Sequence, residues 1–170
     1  MSRTETGSDA PQAHTVQRTG AREGARISAP DATLTVKVDA AHTAGEYEIF
    51  EVTAPSGPTT PPHRTGWAKA HYVLRGKLEV QVDGVNYPLG PGDTVAIPPG
   101  APHTFTVLTE SCTFLVVSMT DAMGRFHADL DAAARGRPLE EAMDDVAAVL
   151  AQHDVTLGTA GAGRERAGAP

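Results

Sequence analysis

The sequence has few of the features that mark secreted or membrane-bound proteins. It contains one cysteine, Cys112, so no disulfide framework can form within the chain. It has no run of about 18 consecutive apolar residues, as a membrane-spanning helix needs, and no apolar segment near its start typical of a signal peptide. We therefore predict no membrane partner and expect a cytoplasmic protein.

Basic residues are also scarce relative to acidic ones. The chain has 14 Lys and Arg against 21 Asp and Glu, a formal net charge of -7 and a pI near 5.4. A protein that binds nucleic acid needs a basic face to contact phosphates. The charge balance predicts that nucleic acid is not a partner.

Turn-forming residues are abundant by contrast. Thirteen prolines and 17 glycines are spread among short apolar runs, which favours many turns and an all-β body. The length of 170 residues suits one domain. Alternating or β-branched segments predict about eight to ten short strands, as in a barrel or jelly roll. The clearest segments are 33–38, 46–53, 71–74, 77–82, 85–89, 94–97, 104–108 and 113–119.

Helical periodicity replaces the strand pattern after Met119. Asp121 can cap a helix that runs to about Arg135, and Pro138 can open a second helix through His153. The second helix has an apolar stripe that predicts packing against the barrel: Leu139, Met143, Val146 and Leu150. The predicted organisation is a disordered leader (1–26), a β-barrel (27–120), a helical segment packed on it (121–157) and a flexible tail (158–170).

Two segments contain most of the candidate chemistry. Residues 61–76 read PPHRTGWAKAHYVLRG, and residues 92–107 read GDTVAIPPGAPHTFTV. Alternate side chains of an extended strand share a face, so His63, Thr65, Lys69 and His71 are predicted to point into the barrel together.

These segments together resemble the two motifs of the cupin superfamily, of the form H-x-H…E…G and G…P-x-G-x-x-H…N. Aligned on its Trp and final Gly, the first segment has His63, Thr65 and Lys69 where the family motif has His, His and Glu. The second segment keeps His103 and has Val107 in place of Asn. The resemblance implies a cupin-type, RmlC-like antiparallel β-barrel with C-terminal helices, similar to quercetin dioxygenase-like and polyketide cyclase-like single-domain cupins.

The replacements affect the metal site that the resemblance implies. Family members hold a divalent ion with the His, His, Glu and His of their motifs. A threonine hydroxyl is a poor replacement for imidazole, and a lysine ammonium has no lone pair to donate. The remaining candidate ligands are His63, His71 and His103, and three histidines with an open position are a known zinc arrangement. The expected cofactor is therefore none, or a weakly bound Zn, Ni, Fe or Mn ion.

Lys69, His71 and Trp67 each have two interpretations. Lys69 either turns to water at the barrel mouth or stays inside, where desolvation favours its neutral form and a role as general base or anion binder. His71 is a core residue or a ligand, and Trp67 is a packing residue or stacks on substrate. The candidate catalytic residues are His63, Lys69, His71 and His103. The candidate substrate-binding residues are Trp67 and Thr65.

The fold resemblance does not select a reaction. The favoured hypothesis is an enzyme that cyclises or isomerises an aromatic or polyketide-like metabolite by histidine acid–base catalysis or weak metal assistance. The alternatives are a metal-dependent dioxygenase of the quercetinase type and a non-catalytic small-molecule-binding protein. The expected partners are a small-molecule ligand or substrate and, by analogy with related cupins, a second copy in a homodimer.

Overall fold

The structure is a computed structural model that describes residues 15–29, 32–58 and 61–158. Within these ranges, antiparallel strands form one sheet that curls into a barrel, and two helices follow it. The strands are β1 Arg26–Ala29, β2 Ala32–Val38, β3 Tyr47–Pro58, β4 His63–Arg64, β5 Lys69–Arg75, β6 Leu78–Val82, β7 Val85–Leu89, β8 Thr94–Ile97, β9 His103–Met119 and β10 Thr156–Leu157. The helices are α1 Ala122–Ala134 and α2 Leu139–Gln152.

The long strand β9 connects the two halves of the barrel. Along one edge it pairs with β3, from Pro58↔Thr106 to Tyr47↔Met119. Along the other edge it pairs first with β6 and then with β5. Both ends of β9 therefore contribute side chains to the same interior.

The sequence prediction of two strands at 104–108 and 113–119 was wrong in this respect, because β9 runs through both. Val107 and Cys112 are both buried although five positions separate them, so the inward-facing alternation changes phase between them. The sequence prediction left residues 109–112 outside both strands, but the pairing with β3 continues through Pro55↔Ser111. Cys112 is itself a buried core residue.

Gly76 holds the turn at the end of the first motif. Its φ is +84°, and a Cβ there would lie 2.4 Å from the Ser111 carbonyl oxygen. Only glycine adopts this conformation and permits this approach without strain.

The C-terminal segment packs over the barrel. The helix bounds agree closely with those predicted. The carboxylate of Glu48 on β3 accepts a hydrogen bond from the backbone N–H of Gly124, at 2.8 Å, and so anchors α1. Beyond α2, β10 pairs with β4 in the register Thr156↔Arg64 and Leu157↔His63. Met143 of the predicted stripe is exposed rather than packed.

Part of the predicted leader contacts the sheet. The Thr19 hydroxyl donates to the Lys37 carbonyl at 2.8 Å, and the Val36 amide donates to the Ala25 carbonyl, also at 2.8 Å. The rest of the predicted leader, 1–14, and most of the predicted tail, 159–170, lie outside the described residues. The homodimer stays a prediction.

None of the helices in the described ranges is long and apolar enough to cross a membrane.

Candidate functional site

The segment from β4 to β5 supplies most of the candidate site. The predicted alternation holds through the turn at Gly66, and odd-numbered side chains of this segment line an interior cavity of about 570 Å³. They are His63, Thr65, Trp67, Lys69 and His71. The structure therefore brings five of the six predicted site residues to one cavity wall.

The rest of the cavity surface is mainly apolar. The barrel contributes Leu34, Val52, Phe105, Phe114 and Val116. The C-terminal segment closes the opposite side with Met123, Phe126, Leu130, Val146, Leu150 and Val155. Among the described lining residues Asp131 is the one carboxylate, and it forms an ion pair with Arg135. The cavity thus suits a largely apolar ligand.

His103, the sixth predicted residue, lies beside His63 instead of on the cavity wall. The two residues are opposite each other where β4 pairs with β9, and their ring centroids are 4.2 Å apart. The Nδ1 of His63 is 3.0 Å from the Pro61 carbonyl oxygen, and that of His103 is 2.8 Å from the Ala101 carbonyl oxygen. Because a carbonyl only accepts, both rings carry hydrogen on Nδ1 and a lone pair on Nε2.

Lys69 is the cationic group of the cavity interior. Its Nζ lies 5.9 Å from the centroid of the Trp67 ring, and no carboxylate in the described ranges is within ion-pair distance of it. Burial lowers the pKa of Lys69 from 10.5 to about 7, because the ammonium form loses its hydration. The amine is therefore a mixture of neutral and protonated forms at neutral pH.

The histidines near Lys69 are neutral at that pH. Burial, and then the charge of Lys69, lowers the pKa of His63 to about 4 and that of His103 to about 3. The same two causes lower the pKa of His71 well below its ordinary value. Neutral imidazoles can form hydrogen bonds with a ligand but add no charge to the cavity.

His71 lines the cavity but is almost fully buried by aromatic neighbours. Its ring centroid lies 5.2 Å from that of Phe114 and 6.2 Å from that of Phe105. Its Nδ1 is buried and has no hydrogen-bond partner among the described residues. An orphaned N–H is more costly than an orphaned lone pair, so the hydrogen belongs on Nε2.

Thr65 and Trp67 have structural contacts as well as cavity contacts. The Thr65 hydroxyl donates to the Trp67 carbonyl at 3.2 Å. The Trp67 ring is 6% exposed and lies 6.0 Å, centroid to centroid, from Phe126 of α1. Trp67 therefore joins the first motif to α1.

His127 lines the cavity and was assigned no role from the sequence. Burial and the charge of Lys69 lower its pKa to about 4. A signal was available, because Met123, Phe126, His127 and Leu130 have the spacing of one helix face. His127 therefore occupies a position where an apolar residue is expected.

The donor set does not fit the divalent metal site that the family resemblance implies. Lys69 puts a titrating amine where a carboxylate ligand is expected, and the Thr65 hydroxyl is directed to a carbonyl. In the part of the chain that the structure describes, no three His, Cys, Asp or Glu side chains are grouped to hold a metal. His63, His71 and His103 therefore do not form a three-histidine ligand group.

The described residues form a small antiparallel barrel with an internal cavity lined mainly by apolar side chains. The cupin domain family matches residues 50–118, which contain both motifs. Residues 50–118 therefore form a cupin domain, and the described residues have the RmlC-like barrel followed by C-terminal helices.

The fold is similar to that of two solved structures with TM-scores above 0.5, and a third solved structure matches with a lower score. KdgF from Halomonas sp. is 18% identical, with a TM-score of 0.56 over 62% of this chain and 94% of that chain. An RmlC-like cupin from Shewanella frigidimarina NCIMB 400 is 18% identical, with a TM-score of 0.54 over 66% of this chain and 96% of that chain. The polyketide cyclase RemF from Streptomyces resistomycificus is 28% identical, with a TM-score of 0.48 over 62% of this chain and 78% of that chain. The comparison with curated protein sequences finds no match.

Proposed function

We propose that this cupin is a metal-independent enzyme that transfers a proton on an apolar, aromatic or polyketide-like carbonyl compound, leading to isomerisation or cyclisation. The observation that supports this function is the position of the Lys69 amine in an apolar cavity, where it has no carboxylate partner in the described ranges. Its pKa there is about 7.

Lys69 is the group best suited to carry the proton. General acid–base catalysis is most efficient when the pKa of the group lies near the working pH. The pKa values of His63 and His127, both about 4, make these imidazoles weak bases at neutral pH. His127 is suited to donate a ring N–H to the carbonyl oxygen of the substrate, whereas the Nε2 lone pair of His63 is suited to accept from a substrate hydroxyl.

The proposed reaction needs only this amine and the substrate. Neutral Lys69 takes a proton from the carbon next to a carbonyl group, and the electron pair moves onto the oxygen to give an enolate. The resulting ammonium stabilises the enolate charge. Returning the proton to a different carbon isomerises the substrate. Attack of the enolate carbon on a second carbonyl of the same molecule, with the proton delivered to that oxygen, closes a ring.

The cavity favours a substrate with an aromatic body. Its volume of about 570 Å³ is that of a typical small-molecule site. Phe105 and Phe114, whose ring centroids are 5.4 Å apart, supply one aromatic wall, and Phe126 of α1 supplies another. Offset or edge-on contacts with such rings stabilise an aromatic ligand beyond simple burial.

Deuterium exchange tests this function without knowledge of the natural substrate. Phenylacetone and 2-tetralone are incubated with the protein in D2O, and loss of the signals of hydrogens next to the carbonyl is followed by proton NMR. We expect catalysed exchange whose rate rises with pH through about 7, because the neutral amine is the base. Lys69→Met should abolish it, whereas Lys77→Met, at an exposed lysine, should not. Catalysis that survives in Lys69→Met contradicts the proposal.

A binding protein without catalysis is the second candidate. The C-terminal segment covers the cavity, and β10 pairs directly with the strand that contains His63, as suits a protein that retains its ligand. The same NMR experiment with ketones in D2O discriminates the two functions. Line broadening of a ketone that binds in the cavity, without deuterium exchange, favours the binding protein.

A further inference from the structure

The chain has three lysines, and they lie in different surroundings. The Lys37 ammonium donates to the Gly20 carbonyl and, at 2.9 Å, to the Glu23 carbonyl. Lys77 is exposed. Lys69 lines the cavity, and within the described ranges its Nζ has neither a hydrogen bond nor an ion pair.

We propose that Lys69 is a covalent site, whose Nζ forms an imine with the carbonyl carbon of an aromatic aldehyde or ketone held in the cavity. This activity goes beyond the proposed proton transfer, because the amine acts as a nucleophile and no turnover is required. The substrate class is an apolar-bodied molecule with one accessible carbonyl group.

The step is a condensation without oxidation or reduction. The Nζ lone pair attacks the carbonyl carbon, and the π pair of the C=O bond moves to oxygen. The oxygen takes up the proton that Nζ loses, which gives a carbinolamine. A proton supplied to the hydroxyl makes it a leaving water as the C=N bond forms, which gives an iminium ion. Loss of the remaining proton on nitrogen then gives the imine and replaces the proton that was supplied. The overall change is amine plus carbonyl to imine plus water.

Neighbouring imidazoles are placed to move these protons. His63 and His127 line the same cavity as Lys69. The Nδ1–H of His63 is engaged by the Pro61 carbonyl, so its Nε2 lone pair is the group that accepts a proton. This nitrogen can take up the proton from the nitrogen of the adduct and return it to the oxygen, which gives the carbinolamine.

The surroundings also favour the product. An iminium ion keeps its charge near the Trp67 ring, whose centroid is 5.9 Å from Nζ, and a ring face attracts such a cation. The apolar walls reduce the water available to hydrolyse the imine. The lowered pKa of Lys69, about 7, leaves a large fraction of the amine neutral and nucleophilic at neutral pH.

Reductive trapping tests the inference on the full chain. The protein is incubated with 2-naphthaldehyde and sodium cyanoborohydride, which reduces an imine to a stable secondary amine, and adducts are located by intact-mass and peptide-mapping mass spectrometry. We expect one rapidly formed adduct per chain, on Lys69, whose rate falls as pH drops below about 7. Lys69→Met should lose the rapid phase, and the matched surface variant Lys77→Met should retain it.

The peptide map of the unmutated protein gives a readout that does not depend on how a variant folds. Labelling of Lys37 and Lys77 as fast as Lys69 overturns the inference. So does labelling of Lys69 no faster than in the urea-unfolded chain. Lys69→Arg provides a second variant that keeps a cation but cannot form the imine, and a rapid adduct in it also contradicts the inference.

The outcome is distinguishable from that of the proposed enzyme function. A Lys69 adduct without deuterium exchange of ketones establishes the covalent site and contradicts proton-transfer catalysis. Exchange without an adduct establishes the base and overturns the nucleophile.

Discussion

Burial and the charge on Lys69 both disfavour protonation of the histidines near the cavity. Burial, and then this charge, lowers the pKa values of His63, His71, His103 and His127. The four imidazoles therefore stay neutral at pH values where the amine itself titrates. Among Lys69 and these imidazoles there is at most one positive charge near neutral pH, and that charge is on the group proposed to react.

Thr65 and Lys69 stand where the cupin motif has metal ligands, so restoring those ligands by mutation tests the assignment. An ammonium within a few ångströms repels a divalent cation, so the unmutated chain should bind metal weakly. The double variant Thr65→His with Lys69→Glu supplies the missing imidazole and carboxylate beside His63 and His103. We expect its affinity for Zn or Ni to rise by orders of magnitude in calorimetric titration.

The matched control for that experiment is Lys77→Glu, which makes the same charge change on the surface. Its metal affinity should equal that of the unmutated chain. Tight metal binding by the unmutated chain, or no gain in the double variant, would show that the ligand positions have been misassigned.

At the scale of elements, the attachment of α1 to the barrel depends on one buried carboxylate. Asp121 precedes α1 but makes no side-chain capping hydrogen bond. The Glu48 carboxylate, 5% exposed, accepts from the Gly124 amide instead and lies at the positive end of the helix dipole. The fit is close, since a Cβ on Gly124 would lie 2.2 Å from a Glu48 oxygen.

Removal of the hydrogen bond between Glu48 and Gly124 should weaken the attachment of α1 to the barrel. We expect Glu48→Ala to lower the free energy of unfolding by about 1–2 kcal/mol, since it leaves the amide without its acceptor. Amide hydrogen exchange should rise across α1 more than in β9. Urea denaturation and exchange measured by mass spectrometry check both effects. Equal effects of Glu48→Ala and the exposed-site control Glu46→Ala would contradict this role.

The elements differ in how far the sequence predicted them. The helices have a 3.6-residue apolar period, so their bounds were found closely. The two-residue strand β10 is too short to have a period and depends on its pairing with β4. The alternation of the first motif predicted that His63, Lys69 and His71 share a face, which the structure confirms. His127 lines the same cavity because α1 packs over the barrel, and neither of the two sequence motifs predicts that packing.

For the whole molecule, the neutral histidines predict a loss of stability in acid. Unfolding releases His63, His71, His103 and His127 to their ordinary pKa of about 6.5, so below that pH the unfolded chain binds more protons than the folded chain. Stability therefore falls as pH drops from about 6.5 to about 4. Each histidine that stays neutral contributes up to about 1.4 kcal/mol per pH unit.

Urea unfolding at pH 7 and pH 5 measures this dependence. His127→Leu should reduce the difference between the two free energies of unfolding, because one proton-binding group is removed from the unfolded chain. His42→Gln, at an exposed histidine outside the cavity, serves as the control and should change the difference less. A stability that is equal at the two pH values would mean that water reaches these imidazoles freely.

The central claim is that the amine of Lys69 titrates near neutral pH inside the cavity. Its most direct test is a pH titration by NMR of protein labelled with 13C at the lysine Cε, where three signals are expected. The signal that is missing in Lys69→Met should titrate with a pKa of about 7. A titration of that signal near the ordinary value of 10.5 would contradict the account, because the cavity would then contain a permanent cation instead of a base or nucleophile.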